Sequence, residues 1–552
     1  MRRYWVVALA VLTLLGVLSP PAFAQAPTPV VTISGLLQHH TTTGVNIYDG
    51  NFTRSGDKEW NGALRARPDI TAQVGNVKMV LGFEFDLSYG QVGTADTSVT
   101  GAGGTVGGVQ TSGMTGGFDL NTDVLGVIEL KWAYTEFPFT GAGSLLPFVP
   151  IPTVARVGAQ PFATTYKGAV LASGDFAGLN FVTTWTPQIK SHLAIAQLEE
   201  QGQGIQTANH VSAVGRCHND GVGFAAGAAC RGDDWAMILG VEVTPMKGLD
   251  IRPIYSFFNG FATTIARAGA LPASTNLVDE ERRHTIGFDS RWSWGNLFID
   301  PTYFYQFGSR EIRCAAPANF VGAAPAGCIV GVRSDGATAK ISAHFFDIRG
   351  GYRMGPLLLE AMVGFSSGNK GRDNLAKEIR SYAPIDTDTG YYATWASILA
   401  LNVDSTHVGA VNGLGATIGY LQYGRVQTGY RATYSWTPAL DTSVSISPTW
   451  TARAVDTDTP ATTRAKGCIG NGLSGIPCNF EGDSSYIGTE ANLGLVWRFA
   501  PNTRFDLVGA WLFAGGALDG AELAPGTPTG TTGVRRDASD AWLISSKLTF
   551  NY

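Results

Sequence analysis

Charged side chains recur at every second position along extended stretches of this chain. Arg65, Arg67 and Asp69 alternate with Leu64, Ala66, Pro68 and Ile70. The same spacing puts Glu84, Asp86, Glu129, Arg156, Arg252, Arg283, Arg291, Arg349, Arg431, Arg453, Arg498 and Arg504 on the polar side of similar stretches. Asp250, Asp289, Asp347, Glu360 and Asp506 join them. Two kinds of chemistry suit such residues. Arginines gathered on the wall of a bore attract anions, and gathered acids attract cations. An arginine beside an acid on a neighbouring strand instead braces the wall. The arginines modestly outnumber the acids. The expectation is therefore a largely self-paired inner wall with a weak anion preference.

Other chemistry finds little support. Gly364-Phe365-Ser366-Ser367-Gly368 fits Gly-x-Ser-x-Gly, but it ends an alternating stretch and runs into a loop. The hydrolase elbow needs a strand, a sharp turn and a helix. Asp386-x-Asp388 and Asp456-x-Asp458 lack the remaining spacing of a calcium loop. The eight histidines are scattered, His39-His40 included. No phosphate loop, haem motif or nucleotide fingerprint appears. No cofactor, nucleic-acid partner or enzymatic activity is expected. The six cysteines fall as Cys217 with Cys230, Cys314 with Cys328, and Cys468 with Cys478. Each pair is close in sequence, too widely spaced for a Cys-x-x-Cys metal site. In an exported chain they read as three local disulfides, each closing one loop.

Strands must position these residues. In residues 540–552, Trp542, Ile544, Leu548, Phe550 and Tyr552 share one parity. Ser545, Lys547, Thr549 and Asn551 share the other. A strand sends alternate side chains to opposite faces, so one face is apolar and one polar. Met79, Leu81, Phe83, Phe85 and Leu87 likewise oppose Lys78, Glu84 and Asp86. Residues 1–24 read as an export signal. Arg2-Arg3 precedes an apolar run from Trp5 to Leu18, and after Pro20-Pro21 comes Ala22-Phe23-Ala24, a small-x-small cleavage site. Its loss takes the net charge from −5 to −7, leaving a mature domain at 25–552. After residue 24, no apolar run approaches the ~20 residues of a membrane helix. Yet the chain is 44% hydrophobic, 11% aromatic and only 15% charged, with 70 glycines in 552 residues. That balance suits a barrel in which only alternate residues meet lipid.

Alternating stretches begin at Val30. They continue at 64–74, 77–89, 124–137, 153–160, 177–185 and 191–198. Paired stretches follow at 235–243 with 249–258, 283–294 with 297–310, 340–353 with 357–366, 426–436 with 444–453, and 490–499 with 504–513. The total is about 18 strands, within a range of 16 to 18, in one antiparallel transmembrane β-barrel. Tight connections alternate with long ones, and all cysteine pairs fall in long ones. Short periplasmic turns and long external loops give a membrane barrel this asymmetry. A two-sheet sandwich, the competing all-β reading, has no reason for it. A longer link at 138–152 is the exception on the short side. Trp132, Tyr134, Trp185, Trp292, Trp294, Trp436, Trp497, Trp511 and Trp542 are read as outward, several at girdle positions. The Phe345-Phe346 step breaks parity and predicts a bulge. The loop at 367–424 is long enough either to enter the bore or to pack outside it.

The chain resembles large bacterial outer-membrane porins. Its last strand ends on an aromatic residue, as theirs do. Arg156-Val157-Gly158-Ala159-Gln160, with Gly174-Asp175-Phe176-Ala177-Gly178 after it, is similar to the Arg-x-Gly-x-Gln strand of 18-stranded alginate-export and phosphate-selective barrels. The resemblance implies an outer-membrane location, lipid as the surrounding partner, and passive passage of small hydrophilic, anionic solutes. The alternative is a barrel that sheathes or anchors a partner, such as a redox protein or lipoprotein.

Overall fold

A computed structural model describes residues 28–47, 58–89, 105–106, 109–110, 123–124, 128–168, 170–199, 234–261, 278–312, 337–370, 378–387, 395–399, 423–455, 482–522 and 534–552. Long antiparallel strands form its wall. They are β1 (Val30–Val45), β2 (Lys58–Val74), β3 (Val77–Tyr89), β4 (Ile128–Thr140), β5 (Thr153–Ala163) and β6 (Ala172–Thr186). Next come β7 (Ile189–Glu199), β8 (Asp234–Met246), β9 (Leu249–Phe261), β10 (Val278–Trp294), β11 (Leu297–Ile312) and β12 (Ala337–Met354). The last are β13 (Leu357–Ser366), β14 (Arg425–Thr437), β15 (Leu440–Val455), β16 (Ser484–Ala500), β17 (Thr503–Ala514) and β18 (Ala541–Asn551). Each pairs with its neighbour in sequence, and β18 returns to pair with β1 from Leu36↔Asn551 to Val45↔Trp542. Among the described residues this is a closed 18-stranded barrel with no wall edge left open.

At one end, residues 75–76, 187–188, 247–248, 295–296, 355–356, 438–439 and 501–502 make two-residue turns. Gly75, Gly295 and Gly355 have φ near +58°, and Asn502 has φ 56. These are the residue types that adopt left-handed backbone at small cost. The exception at this end is residues 141–152, which link β4 to β5; β4 runs on to Thr140. Every longer connection lies at the opposite end.

Parity sorts the side chains as the alternation predicts. Leu239, Ile286, Ile348, Val363, Leu493 and Ile544 are exposed on the outside. Arg65, Glu84, Asp289, Asp347, Glu490 and Ser545 are buried on the inside. Two expectations are corrected. The register runs unbroken through Tyr303↔Phe346 and Phe304↔Phe345, so there is no bulge at Phe345-Phe346. Phe346 faces out, and Phe345 faces in and stacks on Tyr382, 5.1 Å between centroids. An apolar inward residue needed a partner from a loop, not a kink. Trp132 and Tyr134 face inward, not outward. The register between β3 and β4 shifts between Gly82 and Phe83, which reverses parity along β4. Trp132 Nε1 then donates to Asp175 Oδ1 at 2.6 Å, and Arg156 lies over the Tyr134 ring.

The inner wall is polar toward the tight-turn end and gains apolar side chains toward the long-loop end, beside buried Arg283, Gln306, Arg310 and Arg425. Ala236, Ile238, Ile254, Phe258, Phe304, Ala510, Leu512 and Leu543 are buried there. They pack against loop residues Val170, Leu171, Tyr382, Ile385, Trp395, Ile398, Leu399 and Leu518. The barrel thus holds a hydrophobic core inside its bore, built from its own connections.

Candidate functional site: the inner wall and the segments folded into it

The wall charges form local clusters across adjacent strands. On β2–β6, Arg65 Nη2 meets Glu84 Oε1 at 3.0 Å, and Arg67 pairs with the other oxygen of Glu84. Lys131 Nζ reaches Glu84 at 3.5 Å and Asp175 at 2.9 Å. Asp69 lies next to this group, beside Gly82. Three cations here share two acids. Arg156 and Lys78 both pair with Glu136. Further round, Arg252 pairs with Glu242, Arg291 with Asp250 at 3.0 Å, and Arg349 with Asp347 at 3.2 Å. Arg431 makes a two-pronged contact with Glu360 at 2.7 and 2.8 Å. Arg498 meets Asp441 at 2.8 Å, and Arg504 meets Asp506 at 2.5 Å. Arg283 sits higher, between Glu281 and the carbonyl of Pro384. Arg453 is exposed near the loop end of β15. The side chains of Asp86 and Glu129 and the export signal lie outside the described residues.

The expected disulfides, Cys217 with Cys230, Cys314 with Cys328, and Cys468 with Cys478, fall on residues outside the described ones. No disulfide occurs among the described residues. Cys217, Cys230, Cys314, Cys328, Cys468 and Cys478 all lie outside them, in the long connections. The closed strand ladder joins the described parts of the wall.

The charged pairs share an asymmetry. In Arg291–Asp250 the side chains are 53% and 28% exposed. In Arg498–Asp441 they are 45% and 18%, and in Arg504–Asp506 50% and 19%. Arg67, Arg349 and Arg431 are likewise more exposed than their acids. The short carboxylates stay against the wall and the long guanidinium groups extend toward water. Arg252 and the deep Arg65 and Arg283 do not follow this rule.

Three segments fold into the bore. The β5–β6 connection inserts Tyr166 and Lys167. Lys167 Nζ sits 3.3 Å from Asp289 and 3.5 Å from Asp347, all three nearly fully buried, and it also donates to Thr302. Asp289 Oδ2 accepts the backbone N–H groups of Tyr166 and Lys167 at 2.5 and 3.3 Å. The Tyr166 ring lies between Arg252 and Arg291, 4.2 and 3.9 Å from centroid to guanidinium carbon. Its hydroxyl donates to Glu242. Burial pushes the Tyr166 phenol up to about 12, against the pull of Arg252 and with the push of Glu242.

The β13–β14 connection supplies the second segment. Glu378–Ile379 pairs alongside Lys340 and Ile341 of β12. Tyr382 donates to the Val170 carbonyl, and the Gln306 side chain bonds both backbone groups of Ala383. Burial raises the Tyr382 phenol. Farther on, Glu490 accepts the N–H groups of Ser397, Ile398 and Leu399 at 2.5, 3.0 and 2.7 Å. Trp395 lies on Arg431, and its carbonyl accepts from Ser445 and Ser447. The described part of the 367–424 loop is therefore inside. The third segment, around Leu518, packs on β16 and β15.

Sequence reasoning missed Tyr166, Lys167, Glu136, Glu242 and Glu490. The first two sit in a short connection with no periodicity. The acids could have been found as neighbours of arginines once the register was known.

Outside, Trp185, Trp294, Trp436, Trp497 and Phe499 are exposed near the tight-turn end, below a belt of exposed aliphatic side chains. Closure leaves no unpaired wall edge to face hydrocarbon, which is what a spanning sheet requires. The chain is a transmembrane β-barrel. That is the architecture of bacterial outer membranes, and a barrel of this strand number with a charged inner wall is that of a channel. No family model and no curated protein matches the chain. Solved structures do align with it. The outer membrane protein OprD from Pseudomonas aeruginosa aligns at 10% identity and TM-score 0.44, covering 96% of this chain and 95% of that one. OpdK of the same organism, solved with vanillate, aligns at 9% and 0.43, covering 95% and 98%. OccAB1 of Acinetobacter baumannii aligns at 12% and 0.42, covering 94% and 96%. The assignment as a transmembrane barrel rests on the closed strand ladder itself. Among the described residues no group of His, Cys, Asp or Glu could hold a metal ion.

Proposed function

We propose that this barrel passes small hydrophilic solutes across the outer membrane by diffusion, with a preference for anions. The observation that carries the preference is the exposure asymmetry of the wall pairs. An ion in the bore meets guanidinium groups first, while the acids that neutralise them lie behind. In a narrow space with low-dielectric walls such an offset holds a positive potential even where charges balance. The inserted segments narrow the bore and set a size limit.

The chain's own segments also occupy part of the bore, which favours a channel over a sheath around a partner protein. The test is the reversal potential of the full chain in a planar bilayer under a salt gradient. The expected sign is that of anion preference. Cation preference overturns the reading, and a barrel that conducts only after a partner is stripped away favours the sheath.

A further inference from the structure

The link between β4 and β5 has a shape and composition that transport does not explain. Where its end of the barrel otherwise uses two-residue turns, residues 141–152 form a folded unit. Gly141 N–H donates to Val149 O at 2.9 Å, and Val149 N–H to Leu146 O at 3.2 Å. Ser144 Oγ donates to Gly141 O, and Thr140 Oγ1 to Ile151 O. Gly141 and Gly143 have φ +97° and +72°, a backbone that glycine permits. Pro147, Pro150 and Pro152 stiffen the rest. The unit is docked on its neighbours: Asn76 Nδ2 donates to Gly143 O, and Thr184 N–H to Pro152 O.

This rigid unit exposes apolar side chains. Leu145 is 64% and Phe148 72% exposed. Residues 138–155 carry no charged side chain. The unit is also continuous with the lipid-facing surface. Leu145 N–H donates to Pro138 O and Leu146 N–H to Phe139 O, so the link folds back beside the end of β4. Phe139 there faces outward and packs edge-on against Phe181, 5.3 Å between centroids. Trp185, in the same girdle, is close along β6.

We infer that residues 141–152 are a membrane foot: Leu145 and Phe148 immerse in the phospholipid leaflet on the tight-turn side. An exposed Phe and Leu on a stiff, uncharged base give up apolar surface to lipid at little cost in chain entropy. A soluble partner protein is the other class of occupant for such a patch, and nothing charged is present to steer one.

The test places the photoreactive residue p-benzoylphenylalanine at position 148 of the full chain, in native outer membranes, and identifies the adducts by mass spectrometry. Position 145 serves as a second site, and heat-modified gel mobility confirms that each variant is folded. The expected product is a phospholipid adduct as abundant as from lipid-facing Val157 and well above that from Gln188 in a tight turn. A protein adduct overturns the inference in favour of a docking partner. Absence of any adduct from both folded variants overturns it in favour of plain solvent exposure. Neither result touches the bore, so the transport reading stands or falls separately.

Discussion

Lys167 is the residue on which the inserted β5–β6 connection turns. A lysine taken out of water is costly unless its partners replace the lost hydration. Here Asp289, Asp347 and Thr302 do so, and Asp289 also holds two backbone N–H groups of the same connection. Replacing Lys167 with Met leaves two aspartates buried short of a cation, at a cost of about 3–5 kcal/mol to the anchorage. The expected outcome is faster hydrogen exchange at the Tyr166 and Lys167 amides and a larger single-channel conductance, with the barrel still closed. Tyr166 makes a second, pH-dependent contribution. Its phenol titrates near 10 when unfolded and about 12 when folded. The folded state therefore holds the proton longer, and its stability is complete below about pH 10 and declines as pH rises through about 12. A difference absorbance titration of the protein against Tyr166→Phe should show that phenolate forming near pH 12; formation near 10 would remove the buried clamp between Arg252 and Arg291.

Among the elements, the wall was legible and the filling of the bore was not. Period-two alternation in residues such as Leu64 to Ile70 says which face is apolar, and the arginines fall on the other. Where a local register shift intervenes, as opposite Trp132, that rule reverses, and nothing in the sequence of β4 alone marks the shift. Phe345 looked like a break in the pattern because its partner Tyr382 is a loop residue without periodicity, and Phe258, Phe304 and Leu512 likewise face inward in a cluster with loop residues. The cluster at Glu490 shows the physics. One carboxylate gathers three consecutive N–H groups of residues 397–399, fixing a connection to β16. Glu490→Ala strands those donors at about 1–3 kcal/mol for each one left dry. Conductance should become larger and noisier and the connection more open to protease, while Glu490→Gln, which keeps one acceptor oxygen, should lie between. An unchanged current trace would mean that this segment does not border the path of ions.

For the molecule as a whole, lipid outside and water inside divide the cost of mutation by parity. Ile348 and Arg349 are chain neighbours on opposite faces of β12. An arginine at Ile348 should cost about 2–4 kcal/mol of folding free energy in a bilayer if it lies near the midplane. Urea titration of the barrel in vesicles measures it. Removing the charge at Arg504, exposed beside Asp506 on the inner face, should change stability by no more than ~1 kcal/mol and shift the reversal potential instead.

The seam between β1 and β18 joins positions almost as far apart as the chain allows. Gly35 and Tyr552 exchange both backbone hydrogen bonds there, each 3.0 Å. Until β18 has been made and reaches β1, the nascent polypeptide can form only an open ribbon with two sticky margins. Its biogenesis must therefore include a caretaker that masks those margins, and a messenger truncated by even one stave should yield aggregate or degraded protein rather than a smaller cylinder.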